Sequence, residues 1–332
     1  MNILIVTPAA AGSRKGNRVT ALRWAGHLRA LGHHLVLRHE WTGEPCDVLV
    51  ALHAVRSAEV VRRSREEARA RPIIVCMTGT DLYGDLEHDA VAMETIERAD
   101  RLVVLQSEGV TALPPRLRAK ARVIHQSVPP FRAPGERPPP PDPGFPVAVL
   151  AHLRTVKDPL RMAAAARLLP ASSALRVIHL GAALDAELAA TARAEMAANP
   201  RYEWRGDVPR REALAILERC RLLALTSVLE GGANCVSEAL ALGVPVVSTR
   251  IAGSIGLLGA DYPGYFEVGD TAALASLLLR AESDAEFYAA LTAACVARRA
   301  LVDPARERQA WAELLAELPL DAVPPAAPAP SA

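Results

Sequence analysis

Short apolar runs alternate with longer amphipathic segments along almost the whole chain of 332 residues, and this rhythm limits the possible folds more than any other feature. The runs are short and rich in valine, isoleucine and leucine, so they predict buried strands. Segments with helical periodicity lie between several of them, for example 18–31 and 54–70. Strand, helix and strand repeated in this way predict an α/β fold, in which helices cover both faces of a parallel sheet. In the first part of the chain, strands are expected at 3–7, 35–38, 48–52, 73–77, 102–105 and 123–125.

The rhythm stops at residues 129–146, where half of the residues are proline, and then begins again. Such a segment can hold neither a helix nor a central strand, so it predicts a stiff, extended linker between domains 1–128 and 147–303. A helix at 304–318 is expected to pack back on the first domain, and the tail at 319–332 is expected to be disordered. In the second domain, strands are expected at 147–151, 175–180, 202–205, 222–226 and 244–249, and helices near 158–169, 184–198, 209–219, 234–242, 271–281 and 285–300.

Two doubly wound domains of this kind imply a place for a ligand. In open α/β sheets, ligands bind beside the carboxyl ends of the strands. Two such domains joined by one linker would face each other across a cleft. We therefore expect an active site between the domains.

Composition and charge exclude several classes of function. The chain has 38 basic and 37 acidic residues but only 4 Phe, 4 Trp and 5 Tyr, which argues against a nucleic-acid partner. No apolar run approaches the roughly 20 residues of a membrane span, so no membrane partner is expected. Residues 1–10 lack the basic start of a signal peptide and are interpreted as the first strand, so a cytoplasmic protein is expected. The five cysteines form no C-x-x-C pair, which argues against structural zinc and disulfides.

The most informative stretch is 227–247, SVLEGGANCVSEALALGVPVV, in which the end of a strand, two glycines and a helix follow one another. The glycines let the backbone approach a ligand closely, and the first N–H groups of the helix can bind an anion. Glu230 stands before the glycines, and Glu238 lies one turn into the helix. Either carboxylate alone would be interpreted as a cap or a solvated side chain. Their spacing together with the glycines favours a functional site.

This stretch resembles the E-x7-E motif of retaining glycosyltransferases with the GT-B fold, specifically glycosyltransferase family 4, and EALALGVPVVS is similar to that family's EAxAxGxPVV. The resemblance implies GT-B architecture, with two Rossmann-like domains facing each other across a cleft. It implies that Glu238 holds the ribose hydroxyls of a nucleotide. Glu230 would contact the donor sugar or help to stabilise the charged transition state. The other residues expected at the donor are Ser227, Gly231, Gly232, Ala233, Asn234 and Cys235.

Cys235 allows a second interpretation of its own. It stands near a helix N-terminus, which can lower the pKa of a thiol. We expect instead that it is a small packed residue.

A second motif supports the resemblance. Arg154 and Lys157 follow a predicted strand with the R-x-x-K spacing that the family uses to neutralise the departing diphosphate, although this spacing is also common on solvated faces. Breaking the sugar–phosphate bond places negative charge on the leaving group, and fixed cations stabilise that charge. The pair would make a metal ion unnecessary, so no metal is expected and the UDP-sugar is a substrate. The nearest approach to a D-x-D metal motif is Asp85-Leu86-Glu87, which is expected to cap a surface helix.

Two loops of the first domain are candidates for the acceptor side. The loop 8–18, PAAAGSRKGNR, is unusually cationic but lacks the G-x-G-x-x-G spacing of a dinucleotide site, and its cations could also be merely solvated. The segment GTDLY at 79–83 follows another strand and could face the cleft or form only a turn with an aspartate cap. The acceptor-side candidates are Gly12, Arg14, Lys15, Gly16, Asn17, Arg18, Thr80 and Asp81. Five histidines show no metal-ligand spacing and are expected to be structural or exposed: His27, His33, His34, His39 and His53.

Within the family, the short N-terminal half and the phrases TGTDLY, VVLQSEG and LEGGANCVSEAL resemble the selenosugar synthases of selenoneine biosynthesis. This resemblance implies a UDP-sugar donor such as UDP-N-acetylglucosamine. It implies selenophosphate as the acceptor, joined to the sugar by a C–Se bond. A small, multiply charged acceptor needs a cationic pocket, which Arg14, Lys15 and Arg18 would supply.

Other functions stay open at this point. An NAD-dependent dehydrogenase has similar fold units, but the glycine fingerprint is missing, and His39-Glu40 fits only loosely the acidic residue expected after the second strand. A non-catalytic sugar-nucleotide-binding protein would bind UDP equally well. An ordinary hexosyltransferase to a hydroxyl acceptor and a GT-B nucleotide-sugar epimerase are the alternatives among enzymes.

Overall fold

The computed structural model describes residues 1–13, 15–84, 86, 88–130, 138 and 144–320. It divides into two compact units. Unit 1 contains Met1–Gln126 and the chain from Pro304 onward, and unit 2 contains Ser127–Asp303. Each unit has a parallel sheet of six strands with helices packed on it, so the predicted α/β class is confirmed.

Unit 1 is built on strands in the order β2-β1-β3-β4-β5-β6. Its strands are β1 (Asn2–Val6), β2 (His34–Arg38), β3 (Val48–Leu52), β4 (Ile73–Cys76), β5 (Arg101–Val104) and β6 (Ala121–Val123). Its first helices are α1 (Gly16–Ala30), α2 (Ala58–Glu67), α3 (Thr80–Tyr83), α4 (Ala90–Arg98) and α5 (Glu108–Thr111), followed by the 3-10 helix Pro115–Lys120.

The core of unit 1 lies on both faces of this sheet. Ile3 and Ile5 pack on the face covered by α1, whereas Leu4 and Val6 pack with residues of α2 and α4 on the other face. Because helices cover both faces, the inner strands β3 and β4 are apolar throughout instead of alternating with polar residues, whereas the edge strands β2 and β6 contain charged or polar residues. This arrangement is why short continuous apolar runs revealed the strands.

Unit 2 repeats the plan with strands in the order β12-β11-β10-β7-β8-β9. Its strands are β7 (Phe145–Leu150), β8 (Leu175–Leu180), β9 (Tyr202–Trp204), β10 (Leu222–Leu225), β11 (Val246–Thr249) and β12 (Tyr265–Phe266). Its helices are α6 (Arg161–Arg167), α7 (Ala186–Ala198), α8 (Arg210–Arg219), α9 (Asn234–Leu242), α10 (Ala252–Leu258), α11 (Thr271–Ser283) and α12 (Ala285–Arg298), with 3-10 helices at Thr155–Lys157 and Arg299–Val302.

The last helix, α13 (Pro304–Ala316), packs on α1 of unit 1. The rings of Trp24 and Trp311 meet edge to face with centroids 5.0 Å apart. The buried carboxylate of Glu307 accepts hydrogen bonds from Trp24 Nε1 at 2.7 Å and Arg23 Nε at 3.1 Å, and it lies 3.0 Å from His27 Nε2. Apolar rings and a fully paired carboxylate therefore attach this helix to unit 1.

Some predicted boundaries differ from the structure. β7 begins at Phe145, inside the predicted linker, because the carbonyl of Pro146 accepts a hydrogen bond from the Arg221 N–H at 2.7 Å at the start of the strand. Val128 belongs to unit 2, where its N–H donates to the carbonyl of Val302 at 3.0 Å. The strand expected at 123–125 lies at Ala121–Val123, where the ladder with β5 forms. Helices α3, α4, α5 and α10 and the two-residue β12 were not expected, since they are short or weakly periodic.

Most of the predicted linker and tail, namely 131–137, 139–143 and 321–332, lies outside the described residues. No helix in the described part of the chain combines the length and the apolar character that crossing a membrane requires.

Candidate functional site

The E-x7-E stretch lies at the carboxyl end of the central strand β10 in unit 2. The strand ends at Leu225, a loop follows, and α9 begins at Asn234, as the sequence predicts. Gly243 ends α9 with a left-handed φ of +69°, which a glycine adopts without steric cost. Ala233 precedes the helix and has no side chain that could cap it, and the first turn contains no acidic residue. This helix N-terminus is therefore suited to a negatively charged ligand.

The loop before α9 is hydrogen-bonded to the segment that carries the R-x-x-K motif. Thr226 Oγ1 donates to the carbonyl oxygens of Lys157 at 3.0 Å and Asp158 at 2.9 Å. The N–H of Val228 donates to the carbonyl of Val156 at 2.9 Å. These bonds bring together two motifs that lie about seventy residues apart in the sequence.

Lys157 and Glu230 form an ion pair within this arrangement, through Lys157 Nζ and Glu230 Oε1. Ser227 Oγ donates a hydrogen bond to the same oxygen at 2.7 Å. The side chains of Lys157 and Glu230 are 26% and 10% exposed, so the pair is shielded from much of the solvent. The resemblance assigns these two side chains to different parts of a donor, but here they neutralise each other.

Arg154, the other cation of the motif, is exposed and forms no ion pair with a described residue. It precedes the 3-10 helix Thr155–Lys157, which ends at Asp158 with a left-handed φ of +41°. This conformation is strained for a residue with a Cβ, and such strain often occurs at functional sites. The hydrogen bond from Thr226 to the Asp158 carbonyl helps to hold this turn.

Gly253 of α10, which belongs to neither sequence motif, fixes the other side of the loop. A Cβ added at Gly253 would lie 2.3 Å from the carbonyl oxygen of Glu230 and 3.0 Å from its Cβ. Thr249 Oγ1, at the end of β11, donates to the Ser227 carbonyl at 2.7 Å. The backbone from 227 to 230 is thus held from two directions.

Glu238 lies on α9 with its side chain only 9% exposed. Arg210 Nε, in the first turn of α8, donates to Glu238 Oε1 at 2.9 Å. Arg210 belongs to no sequence motif and lies twenty-eight residues before Glu238. No sequence signal distinguishes it from the other arginines of this chain.

Cys235 follows the packed interpretation rather than the reactive one. Burial raises the pKa of its thiol to about 12, and the negative charges of Glu230 and Glu238 add to this effect while Lys157 opposes it. The suggestion of a lowered pKa is therefore wrong, because burial outweighs the helix N-terminus. Of the remaining donor candidates, Gly231 and Ala233 are buried, and Gly232 and Asn234 are partly buried.

In unit 1, the cationic loop leads into the N-terminus of α1. Arg14 lies outside the described residues. The first turn of α1 contains no acidic residue, and the buried Nε of Arg18 has no hydrogen-bond partner among the described residues. Gly12, Lys15 and Gly16 are exposed, and Asn17 and Arg18 are partly buried. The described part of this loop is therefore positively charged and open to solvent.

Asp81 has the capping role that the sequence left open as an alternative. Its buried carboxylate accepts hydrogen bonds from the N–H groups of Thr78 at 3.0 Å, Gly79 at 2.8 Å and Ala54 at 2.9 Å. Asp81 thus shapes the ends of β3 and β4. Its neighbour Thr80 points its hydroxyl oxygen to within 3.3 Å of His53 Nε2.

His53, at the carboxyl end of β3, has features that its local sequence does not reveal. It is a buried residue with a left-handed φ of +73°, and its Nδ1 has no hydrogen-bond partner in the described structure. Burial lowers its pKa, so the imidazole is neutral near pH 7. A strained, buried histidine at the ligand-binding edge of a sheet is a further site candidate.

Among the described residues, no three His, Cys, Asp or Glu side chains converge as a metal site would require. Asp85 and Glu87, the nearest approach to a metal motif, lie outside those residues. Metal independence therefore stays a prediction.

Comparisons with known proteins concern the fold and the segment that carries these residues. Residues 148–284, which contain Lys157, Glu230 and Glu238, match the family described as glycosyl transferases group 1. Among solved structures, Alr3699/HepE of Anabaena, crystallised with UDP, superposes with a TM-score of 0.75 at 17% identity, over 96% of this chain and 100% of that one.

Two further structures share the fold. Sucrose-phosphate synthase of Thermosynechococcus elongatus has a TM-score of 0.74 at 13% identity, over 96% of this chain and 98% of its own. An Escherichia coli protein described as trehalose-6-phosphate, bound to UDP-2-fluoro glucose, has a TM-score of 0.73 at 11% identity, over 96% of this chain and 99% of that one. These structures share the predicted GT-B fold with this chain, and one segment of the chain, residues 148–284, is similar to glycosyl transferases group 1.

Proposed function

We propose that this protein transfers a sugar from a UDP-sugar, UDP-N-acetylglucosamine, to selenophosphate and so forms a 1-seleno sugar. The observation that carries the transferase part is the convergence of Lys157, Ser227 and Glu230 beside the N-terminus of α9. The family match supports it, as do the Anabaena complexes with UDP and with UDP-glucose. The selenium part is supported by the sequence resemblance and by the cationic start of α1.

In this proposal, unit 2 holds the donor. Glu238 accepts hydrogen bonds from the ribose hydroxyls, and the N-terminus of α9 faces the phosphates. Lys157 exchanges its contact with Glu230 for the diphosphate, and Arg154 adds a second cation. Glu230 then contacts the hydroxyls of the sugar, with Ser227 fixing one of its oxygens.

The bond changes follow from these roles. Selenium forms a bond to C1 of the sugar, and the bond between C1 and the diphosphate oxygen breaks, with its electron pair leaving on UDP. The two cations stabilise that charge most strongly as it develops. The phosphoryl group first stays on selenium, and water then cleaves the P–Se bond to leave the selenol and phosphate.

The acceptor is assigned to unit 1. Lys15 and Arg18 lie at the start of α1, where no acidic residue opposes them, and Arg14 is adjacent in sequence. A helix N-terminus with cations around it attracts a small anion with two or three charges. Selenophosphate is a soft nucleophile that needs little deprotonation, so no catalytic dyad is required.

The test is anaerobic incubation of the protein with UDP-N-acetylglucosamine and enzymatically generated selenophosphate, followed by mass spectrometry. A sugar product with the isotope pattern of selenium, formed together with UDP, is the expected result. UDP release that depends on a hydroxyl acceptor would show a transferase without the selenium specificity. Isomerisation of the donor alone would show an epimerase. UDP binding without turnover would show a non-catalytic binding protein. Thermal stabilisation by NADH instead of UDP would overturn the proposal that the protein uses a UDP-sugar.

A further inference from the structure

Arg210 contacts the site although neither motif contains it. Its Nε lies 2.9 Å from Glu238 Oε1, on a carboxylate whose side chain is only 9% exposed. A carboxylate at that degree of burial is costly unless it is hydrogen-bonded and paired with a cation. Arg210, with 40% of its side chain exposed, provides such a pairing at the protein surface.

The position of Arg210 is not favourable for α8 itself. It is the first residue of the helix, where the partial positive charge of the helix N-terminus repels a cation. Its neighbour Arg211 lies in the same turn, is exposed, and forms no ion pair with a described residue. Helix stability therefore does not explain Arg210, whereas the contact with Glu238 gives it a role.

The contact also restricts the geometry of the carboxylate. α8 packs against α9, with Leu214 and Leu217 buried on α8, so the two charged groups are carried by helices that support each other. An arginine bound to one carboxylate oxygen limits rotation of the group. A carboxylate accepts about four hydrogen bonds, so the bond from Arg210 does not saturate Glu238.

We propose that Arg210 is a positioning residue for the nucleotide: it holds the Glu238 carboxylate in the orientation that receives two adjacent ribose hydroxyls. This inference rests on the proposed function, in which Glu238 binds the ribose. Arg210 itself acts through Glu238 and contributes to binding only when those hydroxyls are present. Its effect is therefore specific to the ribose of the ligand.

The experiment measures the affinities of UDP and 2′-deoxy-UDP by calorimetry in the full-length protein. The variants are Glu238→Ala, Arg210→Ala and the matched control Arg211→Ala. We expect the unmodified protein to prefer UDP about tenfold, the scale of one hydrogen bond to a charged group. Arg210→Ala should lose most of this preference, because it weakens the binding of UDP, which offers both hydroxyls, more than that of 2′-deoxy-UDP, which retains only the 3′-hydroxyl. Arg211→Ala should behave like the unmodified protein.

Each outcome has one meaning. If Arg210→Ala keeps the full preference, or weakens both ligands equally as a general structural change would, the inference about Arg210 is wrong. If Glu238→Ala keeps the preference, the proposed role of Glu238 is wrong instead, so the two failures are distinguishable. Melting temperatures check folding. If Arg210→Ala does not fold, the affinities for UDP and 2′-deoxy-UDP are measured on Arg210→Met instead. Methionine keeps an aliphatic stem but has no hydrogen-bond donor.

Discussion

Replacement of Gly253 by alanine tests how tightly the loop before α9 must be held. A Cβ at this position would lie 2.3 Å from the carbonyl oxygen of Glu230, whereas an ordinary close carbon–oxygen contact is about 3.3 Å. The backbone of Glu230 or α10 must therefore move by about 1 Å. The neighbouring contact at 3.0 Å, to Glu230 Cβ, would move the side chain as well.

A displacement of about 1 Å at a group that positions substrate can lower the rate about 100-fold. Gly253→Ala should thus reduce kcat for UDP release by about two orders of magnitude. The affinity for UDP should change little, because Glu238 and Arg210 are not displaced. Steric crowding by the new methyl group should lower the free energy of unfolding by about 1–3 kcal/mol. The higher helix propensity of alanine should offset roughly 1 kcal/mol of this loss.

The matched control is Gly26→Ala in α1. Gly26 also lies within a helix, but a Cβ there would meet no atom within 4 Å. Its substitution should leave kcat unchanged and raise the melting temperature slightly. If folded Gly253→Ala kept kcat within twofold of the unmodified protein, the claim that Glu230 must be held in this position would be refuted.

Four further predictions concern charge. Lys157→Ala should lower kcat more than it raises the donor KM, because its charge acts mainly on the leaving diphosphate; steady-state kinetics that show only a raised KM would contradict this. Replacing Arg14 and Lys15 together by alanine should raise the selenophosphate KM at least about tenfold, since each lost charged contact costs about 1.5–3 kcal/mol, with UDP affinity unchanged by calorimetry. Activity should survive EDTA, and loss of activity that Mg²⁺ or Mn²⁺ restores would count against the cationic diphosphate site. Burial lowers the pKa of His179 to about 4 from 6.5, so unit 2 should lose about 3 kcal/mol of stability as the pH falls from about 6.5 to 4. His179→Gln should reduce that loss in urea titrations, and an identical pH dependence in both proteins would disprove the assignment.

The sign of this pH effect follows from the hydrogen bonds of His179. Its Nε2 donates to the carbonyl of Ala151 at 2.8 Å, so Nδ1 is the acceptor of the Tyr202 hydroxyl at 2.7 Å. Protonation of Nδ1 would force the Tyr202 hydroxyl to accept the second bond instead of donating it, and would bury a positive charge. The unfolded chain, which binds the proton near pH 6.5, is therefore favoured on acidification.

Much of the fold can be predicted from local sequence. The bounds of β8 and α9 agree with prediction to the residue, since β8 is a short run rich in leucine, valine and isoleucine, and α9 is a largely apolar segment that ends at Gly243. Helices such as α3 and α10 were missed because they have only four and seven residues, too few to show a period. The cleft between the two domains stays a prediction.

The E-x7-E and R-x-x-K spacings are properties of the sequence alone, because a helix and a turn determine where residues three or eight positions apart can point. The sequence also determined that both motifs follow strands of a parallel sheet. Only the tertiary structure decided their partners. Lys157 meets Glu230, and Arg210 meets Glu238, across 73 and 28 residues. The strand order β11-β10-β7 and the packing of α8 on α9 create these pairs, and a long-range ion pair between common residue types leaves no trace in local composition or periodicity.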